Sequence, residues 1–365
     1  MAQTMKIGIL TFHCAHNYGA VLQAYATQTF LQSQGFEVVM VDYRPEYLVI
    51  PSQIFPVRSY YKGHVLSFFK VLLSKFLLIP ASWKRYQSFN SFINRRFNLI
   101  GLDQLSHYGL DALVLGSDQI WNPVLCKGFD PVYFGCIGGI QTKKIVYAAS
   151  MGHISLQPEE RRYLRRVLTE LDKVSVREKS LKELLSPLSD KSIELVVDPT
   201  LLLGSHFWGD IAVQPSEKQP YVLVYEVIPN PQTMRVAKRL ADRINGKIIE
   251  LKAVLSLLHQ SPYQFATPEE FLGYFRNAAF VVTTSFHGTV FSLIFNRPFY
   301  TMRHGNRHDA RSEALLDSLM LKDRLIMGID QIDASSINYK VVNQLLEKYV
   351  NSSKDYLISS LRMEG

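Results

Sequence analysis

Short runs rich in β-branched and aliphatic residues alternate along this chain with longer stretches whose apolar positions recur at helical spacing. "MKIGILTF", Met5 to Phe12, reads as a buried strand. "YGAVLQAYATQTFLQSQG" follows, with Val21, Leu22, Tyr25, Thr29 and Leu31 on an approximate helical face and Gly35 as its natural stop. "FEVVMVDY", Phe36 to Tyr43, is the next strand. A β-α-β opening predicts a parallel sheet with a right-handed crossover. Further strands are expected at Ala112–Asp118, Lys144–Ser150, Lys173–Glu178 and Ile193–Pro199, with "PEERRYLRRVLTELD" as a helix that starts on its proline.

"VQPSEKQP", Val213 to Pro220, breaks the pattern with Pro and polar residues and reads as a linker. A second set follows: strand "YVLVYEV", helix "PQTMRVAKRLADRING", strand "KIIELKA", helix "TPEEFLGYFRNA" with a Thr cap and two acids in its first turn, and strand "AFVVTTS". "ARSEALLDSLML" and "INYKVVNQLLEKYVNSSKDYLISSLRM" are helical. The pattern predicts an α/β fold of two Rossmann-like domains facing a cleft, residues 1–212 and 213–365, the last helix being a candidate to pack back on the first domain. Ligands of such a pair are expected at the carboxyl ends of the strands.

Composition changes this picture in one place. The chain of 365 residues is 47% hydrophobic and 20% charged, which excludes a disordered class. Its start runs directly into a strand with no h-region, so no signal peptide is expected. Three cysteines, Cys14, Cys126 and Cys136, suit a reducing cytoplasm better than a disulfide framework. The net charge is +8, and Tyr47 to Leu102 holds no Asp or Glu while carrying Arg58, Lys62, Lys70, Lys75, Lys84, Arg85, Arg95 and Arg96. The basicity is therefore local to an aromatic-rich insertion near residues 47–102, which argues for one basic surface and against a nucleic-acid partner. Within it, His64 to Pro80 is apolar nearly all round, with Ser67, Lys70, Ser74 and Lys75 on one stripe. It is too short and too charged to span a bilayer. It reads either as a helix packed in the insertion or as a patch resting on an anionic membrane, at the inner face of the cell.

The candidate chemistry lies at strand ends. Asn17-Tyr18-Gly19 precede the first helix, where free N–H groups favour an anion; Asn17 as an ordinary cap is the plainer role. No G-x-G-x-x-G is present, so a dinucleotide fingerprint is missing, and His13 and His16 beside Cys14 lack further metal ligands. Asp118 and Trp121 in "GSDQIWNP" suit a carboxylate and a sugar-stacking ring, or a turn and core packing. Arg177-Glu178 is an ion pair or an anion site. Asp198-Pro199 is a strand terminus or hinge with no assigned chemistry. "RHGNRHDARSEALL" brings Arg303, His304, Arg307, His308 and Arg311 into one loop dense in anion-binding groups. In "VVTTSFHGTVFSLIFNRPF", Gly288 permits a tight approach, Thr289 begins a helix, and His287 stands at its N-terminus, suited to acid/base work or to capping. No metal ligand set is expected.

Taken together, "NYGAVLQAYA", "GSDQIWNP", "YAASMG", "SVREKS", "DPTLLL", "SFHGTVFSLIFNRPF" and "ARSEALLDSLMLKDR" occur in an order that resembles the polysaccharide pyruvyl transferases, across roughly Met5 to Arg324. The resemblance implies a fold similar to the GT-B glycosyltransferases. It also implies transfer of a pyruvyl group from phosphoenolpyruvate to sugar hydroxyls of a nucleotide- or lipid-linked glycan precursor, with no cofactor. It makes His287 the general acid and aligns Arg177 with a family arginine. Better-known members carry an Arg two residues before the histidine; here that residue is Ser285, for which Arg303 or Arg311 are candidate substitutes. Asp118 is the candidate for handling the acceptor hydroxyl. A glycosyltransferase using a sugar nucleotide, and a non-catalytic assembly protein of a glycan pathway, are the alternatives.

Overall fold

The computed structural model describes residues 4–53, 79–152, 155–253, 261, 263–305, 309–333 and 335–362. The expected helix at 64–80, and Arg58, Lys62, Lys70, Lys75, Arg307 and His308, lie outside the described residues apart from Ile79 and Pro80.

Two all-parallel sheets form the framework. The first holds β1 (Lys6–Leu10), β2 (Glu37–Asp42), β3 (Leu99–Gly101), β4 (Ala112–Leu115), β5 (Lys143–Ala149), β6 (Lys173–Val176) and β7 (Ile193–Leu195) in the order β3-β2-β1-β4-β5-β6-β7. The second holds β8 (Tyr221–Glu226), β9 (Lys247–Lys252), β10 (Phe280–Thr283), β11 (Phe299–Met302) and β12 (Leu325–Ile326) in the order β12-β11-β10-β8-β9. Each order reverses once, between β1 and β4 and between β8 and β10. Such switch points open a crevice beyond the carboxyl ends of the strands, because the crossovers leave in opposite directions there. Register at the two points pairs Leu10 with Leu115 and Val224 with Val282.

Helices of eight residues or more are numbered α1 (Tyr18–Ser33), α2 (Ile79–Arg96), α3 (Pro158–Thr169), α4 (Thr233–Arg243), α5 (Pro268–Asn277), α6 (Phe286–Ile294), α7 (Ala310–Ser318) and α8 (Tyr339–Arg362). α8 follows the second sheet in sequence yet packs on the first: the Ser353 hydroxyl accepts the Val197 amide at 3.0 Å, and Tyr356 donates to the Val146 carbonyl at 3.4 Å. Three strands, Leu99–Gly101, Phe299–Met302 and Leu325–Ile326, are too short to stand out from their flanking sequence. β4, β6 and β7 stop earlier than their apolar runs suggest. Beyond them Asp118, still bridged to Ala149, and Arg177 and Asp198 turn toward one another.

In its described part the basic window is a surface only in places: Lys84 and Arg95 are exposed, whereas Arg85 is not. Arg85 on α2 is 6% exposed and sits against the rings of Tyr18 and Phe89. Its guanidinium donates to the carbonyls of His16 in the first half and of Lys252, Ala253 and Gln264 in the second. Arg95 and Arg96 reach Glu269 of α5 at 3.1 and 3.6 Å. These cations tie the two halves together, because buried backbone carbonyls and a buried carboxylate need donors that only a long side chain can bring. No described helix is long and apolar enough to cross a membrane.

Candidate active site

The two switch points face each other across a cleft of about 250 Å³. From the first half it is lined by Phe12, Ala15, Asn17, Ala20, Tyr47, Leu48, Asp118, Gln119 and Leu125; from the second by Val227, Ile228, Thr284 to His287 and Arg311.

The stretch around His287 is built by close approach. Thr283 ends β10, donating to the Tyr225 carbonyl at 2.6 Å and accepting the Ser285 amide at 3.0 Å. Ser285 is then the N-cap of α6, its hydroxyl accepting the Gly288 amide at 3.3 Å. A Cβ at position 288 would lie 2.2 Å from Thr283 Oγ1, so only glycine lets the first turn of α6 fold back on the strand end. That turn carries His287 to the wall of the cleft. Gly19 comes from the opposite half: a Cβ there would lie 2.0 Å from His287 Nδ1. Gly19 thus gives the imidazole its place instead of contacting a ligand. On the other side, His287 Nε2 is buried, 3.5 Å from Asp198 Oδ2 and without a well-formed hydrogen bond.

Asp198 is the hub beneath the histidine. It is 2% exposed; Oδ1 accepts from the Thr200 amide and hydroxyl at 3.0 and 2.7 Å, and Oδ2 accepts from Arg177 Nη1 at 2.5 Å. Burial alone would raise its pKa, but His287, Arg177 and Thr200 outweigh it and hold the carboxyl well below the usual range. Arg177 also donates through Nη2 to Asp118 Oδ1 at 3.3 Å, and its Nε lies 3.9 Å from Glu178 Oε1. Glu178 behaves oppositely to Asp198. Burial pushes its carboxyl up, only partly offset by Arg177, Arg311 and the Ser150 hydroxyl, which donates to Oε1.

The expected site residues therefore divide. Asn17, Asp118, Ser285, His287 and Arg311 line the cleft. Asn17 also caps α1, accepting the Ala20 amide. Arg177 lies below the cleft floor, surrounded by carboxylates, and is not an open anion site. Tyr18 is fully buried, stacked on Phe271 at 4.4 Å and donating to the Ala266 carbonyl at 2.7 Å, so it holds the halves together and meets no ligand. Trp121 is no sugar platform: it stacks on Phe134 in the core, and its Nε1 donates to the Tyr133 carbonyl. Thr289 is buried and bonded to Ser285 and Thr301, Gly288 packs on Thr283, and Arg303 pairs with Glu313 at 2.8 Å. Sequence reasoning missed Asp198 as the partner of the histidine and Phe286 as a ring against two guanidinium groups; "DPTLLL" and the acid-free "SFHG" gave no signal that either faces an arginine.

No curated protein matches the chain closely enough to count as a relative. Among solved structures it is similar to a UDP-GlcNAc 2-epimerase from Neisseria meningitidis bound to UDP-GlcNAc, at 10% identity and TM-score 0.49, covering 98% of this chain and 99% of that one. It is also similar to the glycosyltransferase SnogD from Streptomyces nogalater, at 10% identity and TM-score 0.46, covering 98% and 100%. Neither likeness bears on activity. The two parallel sheets around one cleft make this an α/β fold of two Rossmann-like halves. The family model described as polysaccharide pyruvyl transferase matches residues 17–306, which includes every cleft element from Asn17 to His287, and the chain belongs to that family.

Proposed function

We propose that this protein transfers a pyruvyl group from phosphoenolpyruvate to two hydroxyls of a glycan precursor, forming a pyruvate ketal and releasing phosphate. The observation that carries this reading is His287, an imidazole on the cleft wall seated between Gly19 and Asp198. Its Nε2 faces Asp198 and its Nδ1 side packs on Gly19, which fixes the ring on the cleft wall.

The chemistry starts at the donor's methylene carbon. His287 gives it a proton, the methylene becomes a methyl, and C2 turns electrophilic. An acceptor hydroxyl then adds to C2, and Asp118, on the facing wall, takes its proton. A second hydroxyl displaces phosphate at the same carbon, with cleavage of the C2–O bond. Two hydroxyl protons leave the acceptor: one restores the acid, the other departs with phosphate. Asp198 does not touch substrate in this scheme. It orients the ring and is itself held ionised by Arg177, as a positioning residue.

The test is phosphate release from phosphoenolpyruvate that depends on a glycan acceptor, with lipid-linked and nucleotide-linked precursors as the panel. His287→Gln should lower the rate on the order of 10²–10⁴-fold without a change in folding midpoint. No acceptor-dependent release across the panel, together with thermal stabilisation by a sugar nucleotide and none by phosphoenolpyruvate, would replace this reading with glycosyl transfer.

A further inference from the structure

The donor proposed above carries a carboxylate and a phosphate, and residue 285 brings no cation to meet them. Ser285 is 5% exposed and its hydroxyl is occupied in capping α6. Of the candidate arginines among the described residues, Arg177 and Arg303 are already engaged. Arg177 is enclosed by Asp198, Asp118 and Glu178. Arg303 is paired with Glu313 at 2.8 Å.

Arg311 is different. It lines the cleft from the first turn of α7, and it makes no hydrogen bond or ion pair among the described residues. Its guanidinium is held instead by an aromatic face, 5.6 Å from the ring centroid of Phe286. Arg177 approaches that same ring at 5.0 Å. Phe286 is the residue between Ser285 and His287, so its ring places an uncommitted fork of donors next to the histidine. Ring contact fixes a guanidinium while leaving its N–H groups unspent, which carboxylate pairing does not. The site is also short of neutralisation. Burial, and next the charge of Arg177, both work against the charged form of Arg311, and Glu178, Asp118 and Asp198 offset this only from a distance. An anion seated on the fork would relieve that cost.

We propose that Arg311 anchors the donor, its guanidinium holding an anionic group of the enolpyruvyl phosphate and supplying from α7 the cation that position 285 lacks. This rests on the phosphoenolpyruvate reading above. The experiment is calorimetric titration of phosphoenolpyruvate into the wild-type chain, Arg311→Gln and Arg311→Lys, with folding midpoints measured alongside. Arg311→Gln should bind about 10- to 100-fold more weakly, the loss of a charge-assisted fork, and Arg311→Lys should fall between. Competition with pyruvate and with inorganic phosphate identifies the group held, since only the competitor occupying Arg311 weakens in parallel. Equal affinity in wild type and Arg311→Gln overturns the anchor and leaves the donor intact. Absence of binding to the wild type overturns both. Should Arg311→Gln fail to fold, Arg311→Lys decides: unchanged affinity there rejects a role for the fork.

Discussion

At the scale of single residues, the site is set by what is missing at position 19. An alanine within a helix is usually worth about 1 kcal/mol over glycine. At Gly19 the added Cβ would instead stand 2.0 Å from His287 Nδ1, inside any allowed contact. The imidazole cannot retreat toward Asp198, which is fully buried and bonded to Thr200 and Arg177. It must swing out of place, and overpacking of this kind costs about 1–3 kcal/mol. Gly19→Ala is therefore expected to fold with a modestly lowered midpoint and to lose transfer activity by about 10²-fold or more, a 1 Å misplacement being enough for that. Steady-state kinetics beside thermal unfolding would check it; full activity in Gly19→Ala would mean that the ring is not held by this contact. The histidine and its glycines were legible in the sequence because helix starts after strands have few residue solutions. The partner carboxylate was not. Arg177 could be paired by eye only with its neighbour Glu178, whereas Asp198 and Asp118 reach it from other strand ends, a pairing made by sheet order.

At the scale of elements, α2 shows how composition alone misleads. An acid-free, arginine-rich window reads as one surface, yet Arg85 is spent on buried carbonyls, while the exposed Arg95 and half-buried Arg96 reach Glu269. Charge counting cannot see carbonyl acceptors, which carry no formal charge. His16 records the same burial. Its ring stacks on Phe89 of α2 at 5.2 Å, and burial, with Arg85 next, lowers its pKa from 6.5 to about 4. Between those values the unfolded chain takes up a proton that the folded interface refuses, so stability falls as pH falls through this window. The expected loss assignable to His16 is about 1–3 kcal/mol. Urea unfolding at pH 7 and pH 4.5 should show a larger drop for the wild type than for His16→Gln; parallel losses would place the acid sensitivity elsewhere.

At the scale of the whole molecule, the β-α-β alternation was enough to foresee two parallel sheets and a cleft at their carboxyl ends, because periodicity and crossover handedness leave few other arrangements. How the halves join was less visible. The core that fills their junction takes Tyr18, Phe89 and Trp208 from one side and Phe271, Phe275 and Phe291 from the other, and α8 adds Val350 and Leu357 to the same cluster. Because α8 begins after the second sheet and packs on the first, neither half can unfold without stripping apolar surface from its neighbour. Independent domains would be expected to melt separately, since interfaces between domains are usually small and polar. Here a shared aromatic core and the carbonyl contacts of Arg85 couple them. Differential scanning calorimetry should therefore give one transition, with calorimetric and van't Hoff enthalpies in agreement. Phosphoenolpyruvate, by binding only the folded cleft, should raise that single midpoint as its concentration rises. Two resolved transitions, with ligand moving one of them alone, would show that the halves are tethered and not fused, and that the geometry around His287 depends on a closure between them.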